Sequence, residues 1–211
     1  MEYLLGKRNL VIEVRLRKKL GTFLLDAQIS DEHFICLTGN NGSGKTSLLH
    51  TIAGIYVPDE GFVKVNSKLI TDLPMERREV VLVTPESFIP HFEVDKHIVW
   101  GAKINGKELS ERQVKEVKRA LGISFGGKVG KLSLGMKERV SLATALLSIP
   151  KVILVDEAFS NLDNRLECIV EYRALTKDLG IDVVFTAQNH EDSKQSDHLY
   201  EMQDGKATRV F

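Results

Sequence analysis

Two short segments of this chain carry residue types arranged for work on phosphate. The first is Gly39-Asn40-Asn41-Gly42-Ser43-Gly44-Lys45-Thr46, with Ser47 next in line. Glycines at its two ends let the backbone turn closely around phosphate oxygens. The loop N–H groups and the start of the following helix then form an anion site. In this pattern Lys45 reaches β- and γ-phosphates and Thr46 ligates Mg²⁺. The second segment is Val152-Ile153-Leu154-Val155-Asp156-Glu157, an apolar run ending in two carboxylates. Asp156 can hold Mg²⁺ through water. Glu157 can take a proton from an attacking water, which is general-base chemistry. Together the segments point to binding and hydrolysis of a nucleoside triphosphate, ATP with Mg²⁺.

These groups need elements that aim them at one place. His33 to Thr38 reads as a buried strand feeding the glycine loop, and Thr46 to Ala53 as a helix with Leu48, Leu49 and Ile52 on one stripe. Gly54 and Pro58 end that helix. Asn9 to Asp26 alternates apolar with charged residues (Val11, Val14 and Leu16 among Glu13, Arg15 and Arg17), the period of exposed β structure. Gly61 to Leu69 reads as a short hairpin and Val80 to Val83 as another buried strand. From Val94 to Leu121 the pattern turns helical and polar, with Ser110-Glu111-Arg112-Gln113 in the form of a capping box before Val114, Val117 and Leu121. Ser133 to Ser148 reads as a helix facing inward with Val140, Ala143, Leu146 and Leu147. Lys151 to Val155 and Asp182 to Phe185 return to buried strand. Strands alternating with helices imply an α/β fold with a parallel sheet, whose strand C-termini line the ligand crevice. The polar helical block is an insertion into that sheet.

Composition narrows the setting. The chain of 211 residues has 29 basic and 29 acidic side chains, which argues against nucleic acid or a polybasic membrane surface as partner. Cys36 and Cys168 lack metal-ligand spacing and fit a reduced, cytoplasmic setting. Glu2, Lys7 and Arg8 interrupt any apolar leader segment, and no run is long enough to span a bilayer. A membrane role is therefore expected only through a partner.

A third segment, Leu132-Ser133-Leu134-Gly135-Met136-Lys137-Glu138-Arg139-Val140, resembles the signature of the ABC ATPases, and Ser160-Asn161-Leu162-Asp163 resembles that family's D-loop. The order of phosphate loop, signature, acidic strand and D-loop matches the family from about Asn9 to Gly205. The resemblance implies a P-loop NTPase with a RecA-like, mostly parallel sheet, an N-terminal antiparallel β subdomain and an inserted helical subdomain. Residues 1–85 and 150–211 would form the core with its β subdomain, and about 86–149 the helical one. It also implies that two cassettes sandwich two ATP molecules head to tail. Ser133, Gly135 and Asp163 would then touch the nucleotide held by the other cassette's loop. Ser133 suits that role as an N-cap at a helix start that faces an anion.

This chain departs from the family in three places. Leu134 and Met136 replace the usual Gly and Gln of the signature. At the switch histidine the segment Phe185 to Asp192 aligns best with Gln188, with His190 nearby but offset. Gln188 can hydrogen-bond a γ-phosphate but cannot carry positive charge. The Q-loop glutamine falls on Thr84 or Glu86, depending on a small gap. Glu86 is preferred, because Pro-Gln is a frequent family pairing, and its carboxylate would still ligate Mg²⁺. Leu20 and Phe23 are candidates for stacking on adenine, although Phe23 equally suits a core strand position.

In the resembling family the Glu86–Val94 region receives a coupling helix from a separate integral membrane permease. Local packing of Phe88, Ile89 and Phe92 is the competing reading. Val14 to Lys18, Gly21 to Asp26 and Thr71 to Pro74 resemble molybdate/tungstate-type or other oxyanion importers. The Leu-Gly-Met signature points instead to exporters. A soluble, non-transport ATPase and a degenerate subunit that binds ATP but barely hydrolyses it share every motif above.

Overall fold

The computed structural model describes residues 12–211. The alternating N-terminal stretch is thus described from Ile12 onward. Glu2, Lys7, Arg8, Asn9 and Val11 lie outside the described residues. The chain runs β1 (Ile12–Leu20), β2 (Phe23–Asp31), β3 (Phe34–Thr38), α1 (Lys45–Ala53), β4 (Glu60–Val65), β5 (Lys68–Leu69) and β6 (Val80–Val83). It continues through α2 (Val94–Ile98), α3 (Trp100–Ile104), α4 (Glu111–Ala120), α5 (Leu134–Leu147), β7 (Val152–Val155) and α6 (Arg165–Leu179). It closes with β8 (Asp182–Thr186), α7 (His190–Ser193), β9 (His198–Gln203) and β10 (Lys206–Arg209).

Two sheets form. The first is antiparallel, in the order β2-β1-β4-β5. The second has the order β10-β9-β3-β8-β7-β6 and is parallel except where β10 pairs with β9. Its central strands are covered on both faces, so they read as continuous apolar runs. In β3, Phe34 and Cys36 face a core shared with Val140, Ala143 and Leu146 of α5 and with Ile169 and Tyr172 of α6. Ile35 and Leu37 face the opposite core, shared with Leu48, Leu49 and Ile52 of α1 and with Ile12, Val14 and Leu16 of β1. All four helices α2 to α5 fall between β6 and β7, which are themselves adjacent parallel strands. The capping box forms as expected: Ser110 Oγ accepts from Gln113 N, and Ser110 N donates to Gln113 Oε1 at 2.9 Å. No helix among the described residues is long and apolar enough to cross a membrane.

The sequence pattern carries no clear signal for α6 or for the β9–β10 pair. In α6 the buried stripe is Cys168, Ile169, Tyr172 and Thr176, while Leu166 and Val170 point outward. Its apolar residues are thus spread around the helix, which erases the period that marks an amphipathic helix.

A buried carboxyl sits at the opposite end of the parallel sheet from the glycine loop. Asp182 is fully buried; its Oδ1 accepts from His33 N at 2.8 Å, and its Oδ2 has no hydrogen-bond partner. Burial pushes its pKa up to about 7, against the lowering effect of the His33 N–H and with help from the nearby Glu32 charge. A carboxyl whose folded-state pKa lies above its unfolded value of about 4 stabilises the fold fully only below that lower value. The contribution is lost as pH rises through about 7. Asp182→Asn is expected to flatten this dependence. Urea melts should show the variant gaining on the wild type by on the order of 1 kcal/mol or more between about pH 5 and 8, with little difference near pH 4.

Candidate functional site

The glycine loop leaves the end of β3 and is pinned from behind by the far end of the chain. Gly39 has φ 134°, and a Cβ added there would lie 2.2 Å from the Met202 carbonyl oxygen of β9. Only glycine fits this backbone and this approach. One turn further on, Gly205 N donates to Ser43 O at 3.0 Å, and Asp26 N donates to Gly205 O at 2.8 Å. The tight turn between β9 and β10 therefore braces the loop, and β2 braces that turn.

Lys45 is buried, and its ammonium donates to Gly39 O at 2.7 Å and Asn40 O at 3.1 Å. The charge is thus held inside the loop by its own carbonyls. The Ser43 hydroxyl is buried without a hydrogen-bond partner. An orphaned donor beside a buried ammonium, at the start of a helix whose first amides lack internal acceptors, is the donor set an anion completes. A triphosphate therefore fits the residues present. Leu20, Phe23, Asn41, Gly42, Gly44, Lys45, Thr46, Ser47 and Glu157 together line an open cleft of about 470 Å³. Phe23 is half-buried on β2, and its ring edge lies 3.0 Å from where a Cβ on Gly44 would sit. It packs on the core, as a core strand residue would, and also walls the cleft.

The acidic strand end reaches the same cleft through a hydroxyl that sequence reasoning missed. Thr186, at the end of β8, donates from Oγ1 to Asp156 Oδ1 at 3.2 Å and accepts from Glu157 N at 2.9 Å. It fixes both carboxylate residues at once. Asp156 is buried, and its N–H continues the ladder to Val83 O at 2.8 Å. Glu157 takes the left-handed φ of 58°, uncommon for a residue with a side chain. That turn carries its carboxylate into the cleft, where Gln188 Nε2 donates to Glu157 Oε1 at 2.9 Å. The polar end of an apolar strand was the available signal for Thr186.

Other expected site residues lie elsewhere. Ser133 caps α5, accepting from Met136 N at 3.3 Å, and is exposed; Asp163 is exposed too. Neither these residues nor Gly135 line the cleft beside the glycine loop. Glu86 is exposed and also absent from that cleft, while the Thr84 hydroxyl lies 3.1 Å from Ser87 Oγ. The rest of that stretch is anchored to α5. Ser141 Oγ donates to Ser87 O at 2.8 Å, and Ile89 N donates to His97 Nε2 at 2.9 Å. His97 Nδ1 lies 2.8 Å from Thr144 Oγ1. Burial holds His97 below the usual histidine range, and the neutral ring accepts at Nε2 and donates at Nδ1. Phe92 is buried against Trp100 at 5.1 Å between ring centroids, whereas Phe88 and Ile89 stay half-buried.

Comparison with known proteins decides the family. Residues 24–160 match the ABC transporter family model. The chain belongs to the ABC transporter family. Over 194 residues it is 32% identical to the spermidine/putrescine import ATP-binding protein PotA of Oleidesulfovibrio alaskensis, covering 88% of this chain and 52% of that protein. Over 170 residues it is 36% identical to the molybdate/tungstate import ATP-binding protein WtpC of Pyrococcus abyssi, covering 77% of this chain and 49% of that one. The chain thus spans about half the length of these curated relatives. Among solved structures it resembles a nucleotide-free ATP-binding cassette from an ABC transporter, with TM-score 0.75 and 24% identity over 94% of this chain and 89% of that one. The structure of an ATP-binding subunit of an ABC transporter aligns with TM-score 0.79 at 19% identity, again over 94% of this chain and 89% of that one. These two likenesses show the cassette fold that the sequence implied.

Gly39→Ala tests the pinning of the loop. The strained φ and the collision with the Met202 carbonyl should destabilise the fold by about 2–4 kcal/mol in chemical denaturation. Triphosphate affinity in calorimetric titration should fall with it.

Proposed function

We propose that this chain is the ATP-binding and ATP-hydrolysing subunit of an ABC importer, acting as a dimer on a separate membrane permease. The observation that carries this reading is the placement of Glu157. Its carboxylate faces the glycine loop across one cleft, while the exposed Ser133 and Asp163 and the half-buried Gly135 stand outside that cleft. A half-site of this kind is completed by a second copy presenting its own Ser133, Gly135 and Asp163.

In this reading Gly39 to Ser47 cradle the phosphates and Lys45 exchanges its loop carbonyls for phosphate oxygens. Thr46 and Asp156, the latter through water, would hold Mg²⁺, which supplies neutralisation of charge on the phosphoryl oxygens. Glu157 orients a water and takes its proton, and Gln188 holds the carboxylate in line. Phe23 and Leu20 offer the apolar wall for a base. Glu86 completes the metal set only if its exposed loop moves inward on closure. Residues 86–149 would behave as the helical subdomain set on a core of 1–85 and 150–211, with the half-buried Phe88 and Ile89 receiving the permease at the inner face of the membrane. Import rather than export is supported by the relatives PotA and WtpC, both import ATP-binding proteins. Gln188 and Glu86 also favour a second reading, a subunit that binds ATP and hydrolyses it slowly beside an active partner.

Kinetics separate these readings. Glu157→Gln should lower ATP turnover by about 10²–10⁴ while leaving ATP binding intact. Turnover near the wild-type level in that variant sinks the assignment. Lys45→Ala should abolish binding in calorimetry. Wild-type turnover too slow to measure, with ATP binding retained, selects the second reading. Copurification with a polytopic membrane protein tests the permease partner, and its failure from solubilised membranes favours a soluble cassette.

A further inference from the structure

The signature segment and the D-loop are fastened to each other within one chain. Glu138, one turn into α5, is fully buried, yet its carboxylate meets no arginine or lysine among the described ion pairs. Its Oε1 accepts from Asn161 Nδ2 at 2.7 Å and its Oε2 accepts from Asn161 N at 3.2 Å. Both bonds grip a single D-loop residue, one through the backbone and one through the side chain. The next residue, Arg139, donates to Asp163 O, to Leu121 O at 2.8 Å and to Cys168 Sγ at 3.0 Å. On the other side of the contact, a Cβ on Gly135 would lie 2.5 Å from Asn161 O, so the helix start and the D-loop touch backbone to backbone.

A buried carboxylate held only by amides costs desolvation that an apolar side chain would avoid. Its placement therefore stabilises one arrangement of the D-loop rather than the fold at large. We infer that Glu138 is a positioning residue: by clamping Asn161, it makes the signature segment and the D-loop one rigid body, so that Ser133 and Asp163 are presented to a second copy in fixed relation. This rests on the proposed ATPase reading. The clamp touches neither the glycine loop nor Glu157, so it governs turnover in the assembled site and not capture of nucleotide by a single chain.

The test is steady-state ATPase kinetics and equilibrium ATP binding on the full chain, with thermal melts alongside. Glu138→Leu should lower kcat about tenfold or more, as small misplacements of reacting groups do. ATP affinity and the melting temperature should stay near the wild-type values, because Asn161 is exposed and water can take up its freed donors. Glu138→Gln should recover most of the turnover, since its carbonyl can accept from Asn161 N and its amide can donate to a turned Asn161 Oδ1. Asn161→Ala should match Glu138→Leu, and the double substitution should be no worse than either; this exposed-side variant carries the same readouts if Glu138→Leu does not fold. Wild-type turnover in Glu138→Leu and Asn161→Ala overturns the inference and leaves the ATPase reading standing. So does a loss of ATP affinity equal to the loss of kcat. A wild-type chain with no ATP turnover overturns both.

Discussion

Parallel pairing around β3 is the constraint from which the site follows. β8 lies beside β3 in register from Phe34↔Val183 to Leu37↔Thr186, and β7 lies beside β8 from Val152↔Asp182 to Val155↔Phe185. Three chain segments far apart in sequence therefore end at one level. The glycine loop leaves the first, Thr186 and Gln188 the second, Asp156 and Glu157 the third. Because the strands are parallel, their polar ends converge on one side of the sheet, and the buried Asp182 is left at the other. No side-chain contact creates this convergence; side chains only refine it.

The refinement is carried by small polar groups in the midst of apolar packing. Thr186 links the Asp156 carboxylate to the Glu157 backbone amide with one hydroxyl, and His97 joins a loop amide to α5 through its two ring nitrogens. Glu138 and Arg139 fasten α5 to the loop beyond β7. α5 thus bears on three places: the segment after β6, the D-loop, and the core beneath the sheet. A helix so tied transmits displacement as a unit, since close-packed interiors do not deform gradually.

Much of this was legible in the sequence where the period was clean. The strands around Cys36, Leu82, Ile153 and Val184 are continuous apolar runs, and the capping box at Ser110 announced α4. The phosphate loop was legible because its chemistry requires glycines at fixed spacing. α6 was hidden by its outward Leu166 and Val170, and β9 and β10 by a short, mixed composition. Thr186 was marked only as the polar end of an apolar strand, and its role stayed hidden because the Asp156 carboxylate it meets lies 30 residues distant in sequence. The clamp on Asn161 was equally invisible, since a glutamate in a helix reads as a solvated face until its burial is known.

The brace behind the glycine loop has a bearing on how the molecule comes into being. The loop follows the third strand of the chain, yet the carbonyl that Gly39 rests on and the amide that holds Ser43 belong to Met202 and Gly205. β3 itself is flanked by β8 and β9, both made late. A ribosome therefore releases the phosphate-binding residues long before it releases what shapes them. The native partners of β3 are thus joined only after the loop itself. Contacts of such sequence separation slow folding. In this molecule the loop that would grip phosphate is shaped only after residues more than 160 positions downstream have been joined.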